Sequence, residues 1–185
     1  MESLKDILKN YRKPERGEPE VAPPIKELPK EFTFKSMFIT GRPGVGKTYK
    51  ANEILETNIE YQDYLKKVNA DFSSSEGARL FKSYNCGQLM FYARDARRGN
   101  EFFDEAVKMR GIILDDLGLG KRSDFIPDII YLIIDERISR NKPTIVTSNL
   151  SIAEIAEQID DRLASRLASF EIIELKGKDR RLLKK

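Results

Sequence analysis

Three stretches of this 185-residue chain predict an α/β fold built on a parallel sheet. The first is Gly41-Arg42-Pro43-Gly44-Val45-Gly46-Lys47-Thr48, which fits the phosphate-binding pattern G-x-x-x-x-G-K-[S/T]. It lies between a strand-like run at residues 34–40 and a helix-like run at residues 47–56. The second is Gly111-Ile112-Ile113-Leu114-Asp115-Asp116, an apolar run ending in two carboxylates, which reads as a buried parallel strand with acids at its C-terminal end. The third is the β-branched run Thr144-Ile145-Val146-Thr147, which delivers Ser148 and Asn149 to the same edge. Ligands of open α/β sheets bind at that edge.

Composition narrows the function classes. With 40% hydrophobic and 34% charged residues, the chain reads as one globular domain with a charge-rich surface. A single cysteine, Cys86, excludes an internal disulfide framework and a cysteine-rich zinc site. No histidine is present, so Ser-His-Asp hydrolysis and histidine-ligated metals are excluded as well. There is no apolar run of membrane-spanning length and no apolar leader, so the expected compartment is the cytoplasm, with no membrane partner. A net charge of +3 is too small to establish a nucleic-acid partner by itself.

The phosphate loop has a definite chemistry. Without Cβ atoms, Gly44 and Gly46 let the backbone fold into a nest whose N–H groups point at an anion. The helix that starts near Lys47 adds its positive dipole end. Lys47 reaches the β- and γ-phosphates of a nucleotide, and the Thr48 hydroxyl is placed to ligate Mg²⁺. The expected nucleotide-binding set is Gly41, Pro43, Gly44, Val45, Gly46, Lys47, Thr48 and the following Tyr49. Asp115 is expected to hold Mg²⁺ directly or through water, with Asp116 polarising the attacking water.

The remaining elements follow in order. Residues 2–11 are expected to form a short amphipathic helix with Leu4, Ile7 and Leu8 on one face. A proline-rich charged linker then runs to residue 30, and the predicted ATPase domain spans 31–185. The N-terminal segment either docks a partner protein, or is a frayed terminus or a helix folded back on its own domain. After the loop, the helix is expected to reach about Asn58. The best candidate for the second strand is residues 67–72 (K-V-N-A-D-F). Ser73-Ser74-Ser75-Glu76 reads as a capping box opening another helix. Residues 88–98 read as helical, although Gln88 to Tyr92 is apolar enough for a strand. Asn100 is expected to cap a helix over 101–109.

A helix with a broad apolar face is predicted over 126–141, broken by Lys142-Pro143. Ser151-Ile152-Ala153-Glu154 forms a capping box for the next helix. With that cap already owned, the Asn149 amide is left to orient a water or sense the γ-phosphate. Arg162 and Arg166, four apart, share one helix face. They either pair with Asp160, Asp161 and solvent, or one reaches a neighbouring subunit's nucleotide as an arginine finger. The last strand is residues 171–175, followed by the basic run Lys176-Gly177-Lys178-Asp179-Arg180-Arg181, and no helical lid domain is expected.

In this order the motifs resemble the AAA+ ATPases of the DnaC/DnaI helicase-loader and IstB group, over about residues 35–181. The resemblance rests on G-R-P-G-V-G-K-T, I-I-L-D-D-L-G, I-D-E-R followed by K-P-T-I-V-T-S-N-L-S, D-R-L-A-S-R-L, and L-K-G-K-D-R-R. It implies a P-loop NTPase core of five parallel strands flanked by helices, hydrolysing Mg²⁺-ATP. It also implies Asn149 as sensor 1, Arg166 as the finger, and a homo-oligomeric ring or spiral. The implied partners are single-stranded DNA and a replicative helicase. Asp116 stands where many AAA+ enzymes carry glutamate. The loaders carry a larger N-terminal region, sometimes with zinc, whereas here about thirty residues without zinc ligands precede the core, as in a short phage-type member.

Candidate DNA contacts are Lys82, Arg94, Arg97, Arg98, Lys121 and Arg122, with Phe91 and Tyr92 available to stack on bases. For each, a solvated charge or a core aromatic is the plainer reading. A helicase loader is the leading function. An IstB-like transposition helper, an ATP-switched binding module with negligible hydrolysis, and a small-molecule kinase are the alternatives.

Overall fold

The computed structural model describes residues 35–56, 81–87, 89, 96–118 and 125–179. The expected N-terminal helix and linker, the strand at 67–72 and the helix opened by Ser73 lie outside these residues. Five strands form one parallel sheet: β1 (Met37–Thr40), β2 (Phe81–Asn85), β3 (Gly111–Leu117), β4 (Thr144–Ser148) and β5 (Glu171–Glu174). Their order is β2-β3-β4-β1-β5, and every pairing is parallel.

Helices link the strands. Helix α1 covers residues 47–56, α2 is Ala96–Lys108, α3 is Phe125–Ser139, α4 is Ile152–Gln158 and α5 is Asp161–Leu167. The period-2 alternation of the central strands sends neighbouring apolar residues to opposite faces. Phe38, Ile112, Leu114 and Val146 pack with residues of α2 to α5 in one core. Ile39, Ile113 and Ile145 pack with Ala51 and Leu55 of α1 in the other. Two covered faces explain why the central strands read as continuous apolar runs. Among the described residues, no helix is long and apolar enough to cross a membrane.

The strand expected at 67–72 falls outside the described residues, and the second strand of the described sheet is Phe81–Asn85. Its sequence, F-K-S-Y-N, has neither a β-branched run nor clean alternation, because it is an edge of the described sheet and buries only Tyr84 fully. Asn100 does not cap a helix, because α2 begins at Ala96 and passes through Asn100. Burial of Phe102 and Ala106 in the core holds that face of the helix in place. The helical reading of residues 88–98 agrees at Leu89, and from Ala96 onwards. The rest of that stretch lies outside the described residues.

Helix ends follow local chemistry. Asn141, at φ 51°, sits in the left-handed region just past α3. Its N–H donates to Ile138 O and that of Lys142 to Arg137 O, the paired bonds of a Schellman end. Ser151 and Glu154 form the expected capping box on α4, so Asn149 is not the cap.

Candidate nucleotide site

The C-terminal edge of the sheet gathers residues from β1, β3 and β4. Val45, 5% exposed, anchors the phosphate loop in the interior, while Pro43 and Tyr49 stay exposed. Lys47 is buried, and its Nζ donates to Gly41 O at 2.8 Å, Arg42 O at 3.0 Å and Asn149 Oδ1 at 2.6 Å. Asn149 therefore stands beside the loop lysine, where the sequence places a γ-phosphate sensor. Lys47 is held by a side chain from the end of β4, so the loop and the Asn149 edge act as one unit.

The second half of the site centres on Asp115. Its carboxylate accepts from Thr48 Oγ1 at 3.0 and 3.1 Å and from Thr147 Oγ1 at 2.6 Å. The β3–β4 register shifts between Leu114 and Leu117, so two residues of β3 oppose one of β4. A bulge of this kind redirects side chains where pairing stops. Here it leaves Asp115 buried and turns Asp116 to φ 60°, partly exposed. An aspartate tolerates that region better than a branched residue would. The N–H of Asp116, out of the ladder, donates to Thr147 Oγ1 at 2.9 Å.

Thr147 was not singled out from the sequence. Fully buried, it accepts from one aspartate's backbone and donates to the other's carboxylate. Its signal was a hydroxyl facing the interior of a central strand beside an Asp-Asp pair, hidden because threonine is also an ordinary β-former. Cys86 lies in the same neighbourhood. Burial, then the charges of Asp115 and Asp116, push its thiol pKa well up, which keeps it protonated and unreactive.

The donor set suits Mg²⁺. A threonine hydroxyl and a carboxylate oxygen at hydrogen-bond distance are hard oxygen ligands. Among the described residues no three His, Cys, Asp or Glu side chains cluster as a metal cage. Two protein oxygens fit Mg²⁺, which keeps water and substrate phosphates in its shell, better than they fit a metal needing an all-protein cage.

Arg166 falls elsewhere. Its guanidinium pairs with Asp135 at 2.7 Å and lies 6.0 Å from the Tyr131 ring centre, so the structure does not join it to the phosphate-loop cluster. Arg162 bonds to Asp160 at 2.7 Å and Asp128 at 2.8 Å, over the same ring at 5.1 Å. The two arginines share a face, as their spacing predicts. Among the DNA candidates, Lys82 pairs with Glu105 at 2.7 Å, and Arg98 is exposed on α2. Arg97 lies in the first turn of α2, and Arg94, Lys121, Arg122, Phe91 and Tyr92 lie outside the described residues.

A parallel sheet in this order, with a phosphate loop after β1 and paired aspartates ending β3, is the P-loop AAA+ fold. Solved structures place it further. DnaI matches with a TM-score of 0.64 and 22% identity, over 83% of this chain and 77% of that one. The DnaC helicase loader matches at 0.59 and 22%, over 77% of this chain and 78% of that one. A replication initiator DnaA bound to AMPPCP and single-stranded DNA matches at 0.55 and 20%, over 78% of this chain but 41% of that one. The chain thus has a DnaC/DnaI-like AAA+ fold. No protein-family model and no curated protein matches it.

Proposed function

We propose that this chain is an ATPase that loads a replicative helicase, assembling with copies of itself on single-stranded DNA. The observation that carries the ATPase half is the joined cluster Lys47–Asn149 and Thr48–Asp115–Thr147 at one sheet edge. Thr48 and Asp115 would hold Mg²⁺, which would supply charge neutralisation to the nucleotide's phosphates. Lys47 presents a cation to the phosphate oxygens, and Asn149, already bonded to it, fixes where that cation stands. Asp116, turned outward by the bulge, polarises the attacking water. Thr147 is a positioning residue that holds both aspartates.

The loader half is supported by the shared fold with DnaI and DnaC. Residues 1–30 serve as the partner-docking segment, and Arg166 acts on a neighbouring subunit's nucleotide after leaving Asp135. The test is steady-state ATP hydrolysis with Mg²⁺ across protein concentration, with and without single-stranded DNA. Turnover per subunit should rise with both. Flat, DNA-independent turnover would sink the loader reading, and tight binding without turnover would favour an ATP-switched module.

A further inference from the structure

The segment after β5 runs along the phosphate loop. The Leu175 N–H donates to Thr40 O at 2.8 Å, tying the segment to the residue before the loop. The Leu175 carbonyl oxygen lies so close to Gly41 that a Cβ there would collide with it. Further on, a Cβ on Gly44 would overlap the Asp179 carboxylate. Gly44 also has φ +77°, so an L side chain at this position meets both strain and collision. An anionic group of the chain's own therefore rests against the loop expected to take a nucleotide's phosphates.

We propose that Asp179 is a built-in competitor for the nucleotide phosphates, a latch that must leave the loop before ATP or ADP is bound. The proposal rests on the nucleotide-site reading above. Its physics is simple. The loop's inward N–H groups and the dipole end of α1 favour one anion, and a carboxylate at short range repels a second. A latch closed nine-tenths of the time weakens apparent nucleotide affinity about tenfold, because only the open fraction binds.

The experiment compares the full-length wild type with Asp179→Asn. Affinity for ADP and ATP with Mg²⁺ is measured by calorimetry. Amide hydrogen exchange over residues 175–179 is followed with and without ADP. The variant should bind both nucleotides roughly tenfold tighter. Its segment should exchange faster without nucleotide, and in the wild type saturating ADP should speed exchange there. A wild type that binds while Asp179→Asn binds equally or more weakly overturns the latch. So does wild-type exchange that ADP leaves unchanged. Failure of both proteins to bind nucleotide would instead remove the nucleotide site, and the competitor with it.

Discussion

Lys47 and Arg137 are both buried cations, 6% and 0% exposed, bonded to backbone carbonyls at opposite edges of one sheet. Arg137, on α3, donates to the carbonyls of Ala106, Met109, Arg110 and Pro143 and to Thr144 Oγ1. These acceptors belong to the end of α2, the turn into β3 and the start of β4. Burial lowers its pKa to about 10, which leaves it charged at neutral pH. Lys47 is held instead by two loop carbonyls and the Asn149 amide, beside two aspartates and two threonines. The comparison shows that burial of a charge does not mark a site. Arg137 has acceptors fixed by secondary structure and serves as a bracket. Lys47 has acceptors on a loop and an amide, with the Thr48 hydroxyl and the Asp115 carboxylate bonded to each other on the same edge.

Separate substitutions at the two edges test that contrast. Arg137→Met should have the largest effect on folding: it strands several buried acceptors, costing on the order of 3 kcal/mol or more in urea unfolding. A loss below about 1 kcal/mol would mean those carbonyls find water, and the bracket reading fails. Lys47→Ala should leave folding close to wild type and weaken ATP binding about 100-fold, the worth of a charge-assisted contact to phosphate. Wild-type affinity would refute the site.

Smaller effects sharpen the picture. Thr147→Val keeps the strand but removes both hydroxyl bonds. Turnover should fall about tenfold, with nucleotide affinity less affected, since the loss acts through Asp115 and Asp116. An equal loss in binding alone would show that Thr147 supports the metal rather than the water. Ser151→Ala should cost about 1 kcal/mol of stability through the lost capping box and leave ATP binding unchanged. A drop in affinity there would couple α4 to Asn149.

Much of this was legible in the chain itself. The phosphate loop, the Asp115-Asp116 strand end, the β4 strand and the Ser151 cap each combine a strong local pattern with a matching tertiary role. Strand β2 was not legible. Its exposed positions carry Lys82 and Ser83, so no apolar period marks it. Arg137 was hidden because an arginine in the last turn of a helix reads as a surface charge. Only the closing of α2, β3 and β4 around it creates its acceptors. Asp179 was likewise read as part of a basic tail, and its place on Gly44 depends on how β5 pairs with β1. Long-range contacts of this kind leave no local period in a sequence.

Calorimetric titration of Mg²⁺-ATP into wild type, Lys47→Ala and Arg137→Met, at a temperature where all three are folded, separates the two edges in one measurement. Wild type and Arg137→Met should bind alike, and Lys47→Ala should show little binding. Wild-type affinity in Lys47→Ala, or loss of binding confined to Arg137→Met, would contradict the assignment of the nucleotide site to the phosphate-loop edge.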